Sequence, residues 1–170
     1  MRVVVAGVST RAIAESAARA GFAVTAIDAF ADLDQHPSVD ARSLGRRFSP
    51  DAAARAAAEI SCDAVAYSAN FENDPAAIAV LARGRTLWGN TPEVIRRVRN
   101  PRLLSQALRH RGLAAPEVCN EPRTNAPRTN EPRTKNPEPR TPNAEPRSWL
   151  LKRFASGGGH GVREWYDGMQ

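Results

Sequence analysis

Hydrophobic positions in the first hundred residues fall into short β-branched or alanine-containing runs, each followed by a stretch with apolar residues at helical spacing. Arg2-Val3-Val4-Val5-Ala6 is the first run and predicts a strand buried on both faces, ended by Gly7. Ser9 or Thr10 stands where a helix cap is expected, and Ile13, Ala14, Ala17 and Ala18 supply the apolar face of a helix reaching about Ala20. Gly21 is placed as its stop. Phe22 to Ile27 predicts a second strand, closed by Asp28. Strand, helix, strand is the unit of a parallel sheet with a right-handed crossover.

The alternation continues. Asp51 to Ile60 predicts an alanine-rich helix, Asp63 to Tyr67 a strand, and Asp74-Pro75 the start of a helix ending near Leu81. Thr86-Leu87-Trp88 predicts a short strand ending at Gly89-Asn90. Thr91-Pro92-Glu93 opens a helix through about Val98, and Pro101 to Arg111 a last one that stops at Gly112. Residues 1–92 therefore read as an α/β domain of about four parallel strands, a Rossmann-like sheet, with 93–119 as connecting helices.

From Asn120 to Arg147 the pattern vanishes. The stretch is a degenerate repeat of Asn-Glu-Pro-Arg-Thr type, holds seven of the thirteen prolines and lacks any aliphatic side chain longer than alanine. Such a composition cannot bury enough surface to offset ordering entropy, so 120–147 is expected to be a disordered linker. A proline-motif ligand for a partner is the rival reading. Order is expected to resume at 148–170: a strand over Ser148 to Lys152, a glycine-rich connection, and a strand over Val162 to Tyr166.

Composition narrows the function. The formal charge is +6, which raises nucleic acid as a partner, but the arginines are scattered (Arg96, Arg97 and Arg99 on one predicted helix, Arg109 and Arg111 on the next). With 6% aromatic residues there is no base-stacking platform, so nucleic acid is not expected. Cys62 and Cys119 are far apart and lack metal-ligand spacing, which predicts neither a metal site nor a disulfide and fits a reduced cytoplasmic setting. No secretory leader is read at the start. No apolar run approaches the roughly 20 residues of a membrane helix. A homo-oligomer stays open.

Three constellations could carry chemistry. The first is Lys152 followed by Ser156-Gly157-Gly158-Gly159-His160-Gly161. Successive glycines let backbone amides turn toward one anion, a strand-end lysine supplies a point charge, and His160 adds a phosphate contact. No Gly-Lys-Ser/Thr follows, so a P-loop is excluded; an exposed hairpin tip is the plain reading. The second is the first strand-to-helix turn, with Gly7, Ser9, Thr10 and Arg11. It has one glycine where a dinucleotide fingerprint has three, so Asp28 reads as a strand-end polar residue or a contributor to a substrate pocket. The third, Tyr67 to Asn73 with Asn70 and Glu72, reads equally as substrate contact or as turn chemistry before Asp74-Pro75. His36 and His110 read as surface residues.

With these residues assembled, the chain resembles the ATP-grasp superfamily of carboxylate–amine ligases. Gly7 to Arg11, Ala14-Glu15-Ser16-Ala17, Ala20-Gly21 and Asp28 through Asp32-Leu33-Asp34 are similar to the pre-ATP-grasp domain of a small-substrate branch. Pro101 to Pro116 resembles the connector, and Trp149 to Lys152 with Ser156 to Gly161 resembles the first ATP-grasp hairpin. The resemblance implies that Lys152 meets the phosphate or adenine of ATP and that the glycine loop lies over the triphosphate. It implies a small carboxylate substrate, phosphorylated to an acylphosphate that an amine then displaces, with Mg²⁺ bridging the phosphates. Arg102 stands where many relatives carry a second nucleotide-binding lysine, and Arg153 where they carry proline. The adenine hinge and the Mg²⁺ ligands are expected beyond Gln170, so 1–170 by itself is expected not to turn over ATP. Related branches join an amino acid such as glutamate to an amine in cofactor biosynthesis. The alternative is a non-catalytic Rossmann-like module that binds a nucleotide or small anion through Gly7 to Arg11.

Overall fold

The computed structural model describes residues 1–120, 149–153 and 161–165. Within them the chain runs β1 (Arg2–Ala6), α1 (Arg11–Arg19), β2 (Ala23–Asp28), β3 (Val39–Ser43), α2 (Pro50–Ala58), β4 (Ala64–Tyr67), α3 (Pro75–Leu81), β5 (Thr86–Trp88), α4 (Pro92–Val98), α5 (Pro101–His110), β6 (Trp149–Leu151) and β7 (Arg163–Trp165). Single 3₁₀ turns at Gly45–Arg47 and Phe71–Asn73 lead into α2 and α3.

Five of the described strands form one parallel sheet in the order β3-β2-β1-β4-β5, an α/β arrangement consistent with a Rossmann-like core. The order places β1 at the centre, where Val3, Val4, Val5 and Ala6 are all buried. Alternation sends Val4, Ala6, Ile27 and Val65 to one face, against Ala53, Ala54 and Ala57 of α2, Ala77, Ile78 and Leu81 of α3, and Ile95 of α4. Phe71 is the largest fully buried side chain on that side. Val3, Val5, Val24, Ala26, Val39, Ala64 and Ala66 face the other way onto Ala14 of α1. Farther along this second face Trp88 meets Phe22 edge to face at 5.3 Å.

The sheet has one strand more than the pattern predicts. β3 reads Val-Asp-Ala-Arg-Ser, and only Val39 is buried. An edge strand needs little apolar surface, and its charged positions protect the open edge. Asp40 and Arg42 pair with each other there at 2.9 Å.

Local chemistry explains the helix starts. Ser49-Pro50, Asp74-Pro75, Thr91-Pro92 and Asn100-Pro101 each place a capping side chain before a proline in the first turn. The cap oxygens accept from Ala52, Ala77, Val94 and the Arg102 and Leu103 amides. At the other end, Gly21 and Gly112 adopt φ of +87° and +71°, and paired turn bonds close α1 and α5. Trp149 pairs with Trp165, and Leu151 with Arg163, in the antiparallel hairpin β6–β7. No helix among the described residues is long and apolar enough to cross a membrane. The expected linker, apart from its first residue Asn120, lies outside the described residues.

Candidate functional site

Parallel strands bring their C-terminal ends to one edge of the sheet, so Gly7, Asp28 and the segment after Tyr67 meet there. The edge is laced by backbone bonds. The amide of Gly7 donates to Ile27, that of Val8 to Ala69, that of Ser68 to Ala6, and that of Leu44 to Asp28. Gly7 is required by close approach: a Cβ there would lie 1.8 Å from Ser68 Oγ. Ser68 Oγ in turn donates to the carbonyl of Ser9 at 2.9 Å.

Thr10 and Asp28 are both buried. The Thr10 hydroxyl donates to Asp28 Oδ2 at 2.7 Å and its amide to the same oxygen at 3.3 Å. Asp28 Oδ1 accepts from the amides of Phe30 and Ala31 at 2.9 and 2.8 Å. All four bonds lie within the chain, so this carboxylate ties the β1–α1 turn to the loop after β2. It also accounts for α1 starting without a side-chain cap: Thr10 spends its hydroxyl on Asp28.

Arg11 is engaged by two carboxylates. Its Nε donates to Glu15 at 3.0 Å and its Nη1 to Asp34 at 2.7 Å, while Arg19 reaches Glu15 at 3.2 Å. The hydrogen bond from Arg11, then that from Arg19, holds the Glu15 carboxyl below the usual glutamate range, while the hydrogen bonds to Glu15 and then to Asp34 raise Arg11. The i, i+4 spacing of Arg11 and Glu15 is a sequence signal for this pair; that of Asp34 arises only from the fold.

On the β4 side, Asn70 is exposed and takes a φ of +81° to start the 3₁₀ turn. Tyr67 donates its hydroxyl to the Asn90 carbonyl at 2.8 Å. Burial pushes its phenol above the ordinary tyrosine range, and the nearby Glu72 carboxylate adds to the shift. Asn73 accepts from Arg99. Gly7, Ser9, Thr10, Asp28, Asn70 and Glu72 thus share one edge with Tyr67 and Ser68 of the third constellation, whose bonds to the Asn90 and Ser9 carbonyls the sequence does not foretell.

Arg102 lies on α5. It lines a groove of about 540 Å³ with Ser105, Gln106, Arg109, His110 and Val118. Residues 115–116 fold back on the helix, where Ser105 Oγ and Arg109 Nη2 donate to the Pro116 carbonyl at 2.8 and 3.0 Å. Arg102 donates to the side chain of Asn120.

Lys152 follows β6 directly and is exposed. Gly161 precedes β7 with a φ of +78°, and the side chain of Arg153 runs beside it, 3.6 Å from where a Cβ would stand. Ser156, Gly157, Gly158, Gly159 and His160 lie outside the described residues. Among the described residues no three His, Cys, Asp or Glu side chains converge on a metal position.

Comparison with protein-family models, with curated proteins and with solved structures finds no match for this chain.

Proposed function

We infer that the chain carries the nucleotide-clasping hairpin of an ATP-grasp type carboxylate–amine ligase, joined through α4 and α5 to a Rossmann-like domain. The observation that supports this most is the β6–β7 pair. Leu151 is registered with Arg163, so the strands on either side of the glycine-rich sequence pair antiparallel, and Lys152 directly follows the first of them. A lysine at that position puts an ammonium beside the phosphates of ATP, and glycine amides add donors where phosphoryl charge develops. In the reaction the carboxylate oxygen of the small acid takes the γ-phosphoryl group and ADP leaves. The amine nitrogen then attacks the acyl carbon and inorganic phosphate departs.

The rival is a binding module that holds an anion on the β1–α1 turn. Against it, the amides of Gly7, Val8 and Thr10 already donate to Ile27, Ala69 and Asp28, and Arg11 is paired with two carboxylates. These groups are poorly placed to greet a phosphate.

Titration of the full chain with a fluorescent ATP analogue and Mg²⁺ separates the two. Lys152→Ala should weaken binding about tenfold, the loss of one charge-assisted contact, while the melting temperature stays unchanged. ATP binding indifferent to Lys152→Ala but weakened by Arg11→Ala would overturn the ligase reading in favour of the module.

A further inference from the structure

The α4–α5 pair exposes an apolar surface that the nucleotide reading does not use. Leu103 and Leu104 are each 47% exposed, Val98 48% and Leu113 54%, and Val94 is exposed as well. Helical spacing explains the arrangement on α5. Ser105 is the buried position and Leu108 is half-buried, so Leu103, Ala107 and Leu104 fall together on the outward arc. Gly112 then turns the chain and presents Leu113 just beyond.

The segment that carries these apolar residues is predominantly basic. Residues 92–119 hold six arginines, Arg96, Arg97, Arg99, Arg102, Arg109 and Arg111, against two glutamates, Glu93 and Glu117. That stretch therefore carries four of the chain's six net positive charges. Glu93 is engaged with Arg96 at 3.5 Å. On α5 the groove lined by Arg102, Gln106, Arg109 and His110 borders the apolar arc.

We propose that this face of α4–α5 docks an acidic amphipathic helix of a partner protein. Its leucine-type side chains cover Leu103, Leu104 and Val98, and its carboxylates meet the arginine rim and the groove. Charge complementarity selects this occupant. A second copy would bring the same arginine-rich face against itself across a two-fold axis and would meet repulsion. A nucleic acid would satisfy the arginines, yet 92–119 contains no Phe, Tyr or Trp for base stacking and the apolar arc would stay wet. The repeat over 121–147 has no aliphatic residue longer than alanine with which to cover that arc.

The test uses the full chain and a fluorescein-labelled synthetic helix of about 16 residues, long enough to span α5, with leucine at i, i+3, i+4 and i+7 and glutamate elsewhere. One control peptide replaces each glutamate by lysine, and another scrambles the leucines. The Leu/Glu peptide should bind, weaken as salt rises, and outcompete both controls. Leu104→Ser should weaken it about tenfold, as should Arg97→Glu combined with Arg111→Glu, with melting temperatures held near wild type. Lys152→Ala should leave peptide affinity unchanged, which keeps this result separate from the nucleotide reading. Absence of binding, or equal binding of the Leu/Lys peptide, overturns the proposal. So does a dimer in sedimentation equilibrium that Leu104→Ser dissolves, or displacement of the peptide by an RNA oligonucleotide.

Discussion

The five-stranded sheet and the β6–β7 hairpin are both β structure, yet they are held together in opposite ways. In β1 four of five residues are buried, and two other strands pair with it along nearly its whole length. In β6 and β7 no residue is buried. A two-stranded ribbon without a covering layer is marginal by itself, whereas a sheet with helices on its faces stands alone. The site candidates divide along the same line. Gly7, Thr10 and Asp28 sit where packing is dense and are spent on holding strand ends together, while Lys152 sits where packing leaves it exposed. Dense packing consumes polar groups; the sparse region keeps one available.

The hardest strike at this contrast is Phe71→Ala. Phe71 is fully buried between α2, α3 and the sheet, and removing its ring leaves a cavity that the small alanines around it cannot fill. A loss of about 3–5 kcal/mol is expected, read as a fall in the urea midpoint of the far-ultraviolet transition. A loss below about 1 kcal/mol would mean that the sheet core is far less rigid than its burial implies.

Next in size is Asp28→Asn. One amide oxygen can still accept, but the NH₂ group must face either the Thr10 amide or the Phe30 and Ala31 amides, all of which are donors only. The expected cost is about 2–3 kcal/mol, because buried donors lose a charged partner. Were Asp28 a substrate group and not a tie, the variant would keep its midpoint.

How much of this was legible beforehand follows from the same contrast. β1, β2 and β4 announce themselves because centrally placed parallel strands must be apolar throughout. The four Ser/Asp/Thr/Asn–Pro starts are equally local and equally readable. β3 is not, since its position at the edge removes the demand for hydrophobicity that pattern reading relies on. The role of Asp28 was open between substrate contact and strand-end tie; only the through-space approach of Thr10, eighteen residues earlier, decides how its oxygens are used. Ser68 was invisible as a reason for Gly7, because the contact joins two strands across the sheet edge. Gln106 and Arg109 gain a groove only when residues 115–116 fold back on α5.

A smaller effect is expected from acid. Glu15 has its folded pKa lowered by Arg11 and Arg19, so its contribution to stability is complete above the ordinary glutamate value. As pH falls through that value toward the depressed one, the unfolded chain takes up the proton first and the contribution drains away. Urea midpoints measured from neutral pH down to about pH 3 should therefore fall less steeply for Glu15→Gln than for the wild type. Glu15 is only half-buried and Arg11 and Arg19 reach it from the solvent side, so the difference should be slight and should shrink in high salt. Identical slopes would show that the pair is open to solvent and idle.

The smallest expected effect is the most informative about the hairpin. Trp149 lies opposite Trp165 in the antiparallel register, and such cross-strand aromatic pairs hold a ribbon together locally. Trp149→Ala should change the tryptophan emission, to which only Trp88, Trp149 and Trp165 contribute. The melting of the five-stranded sheet should stay within about 0.5 kcal/mol of wild type, as for a surface substitution. A larger fall would mean that the hairpin is packed on the sheet domain and shares its core. Lys152 would then be anchored by the same dense packing that occupies Asp28, and the division between a spent edge and an available lysine would fail.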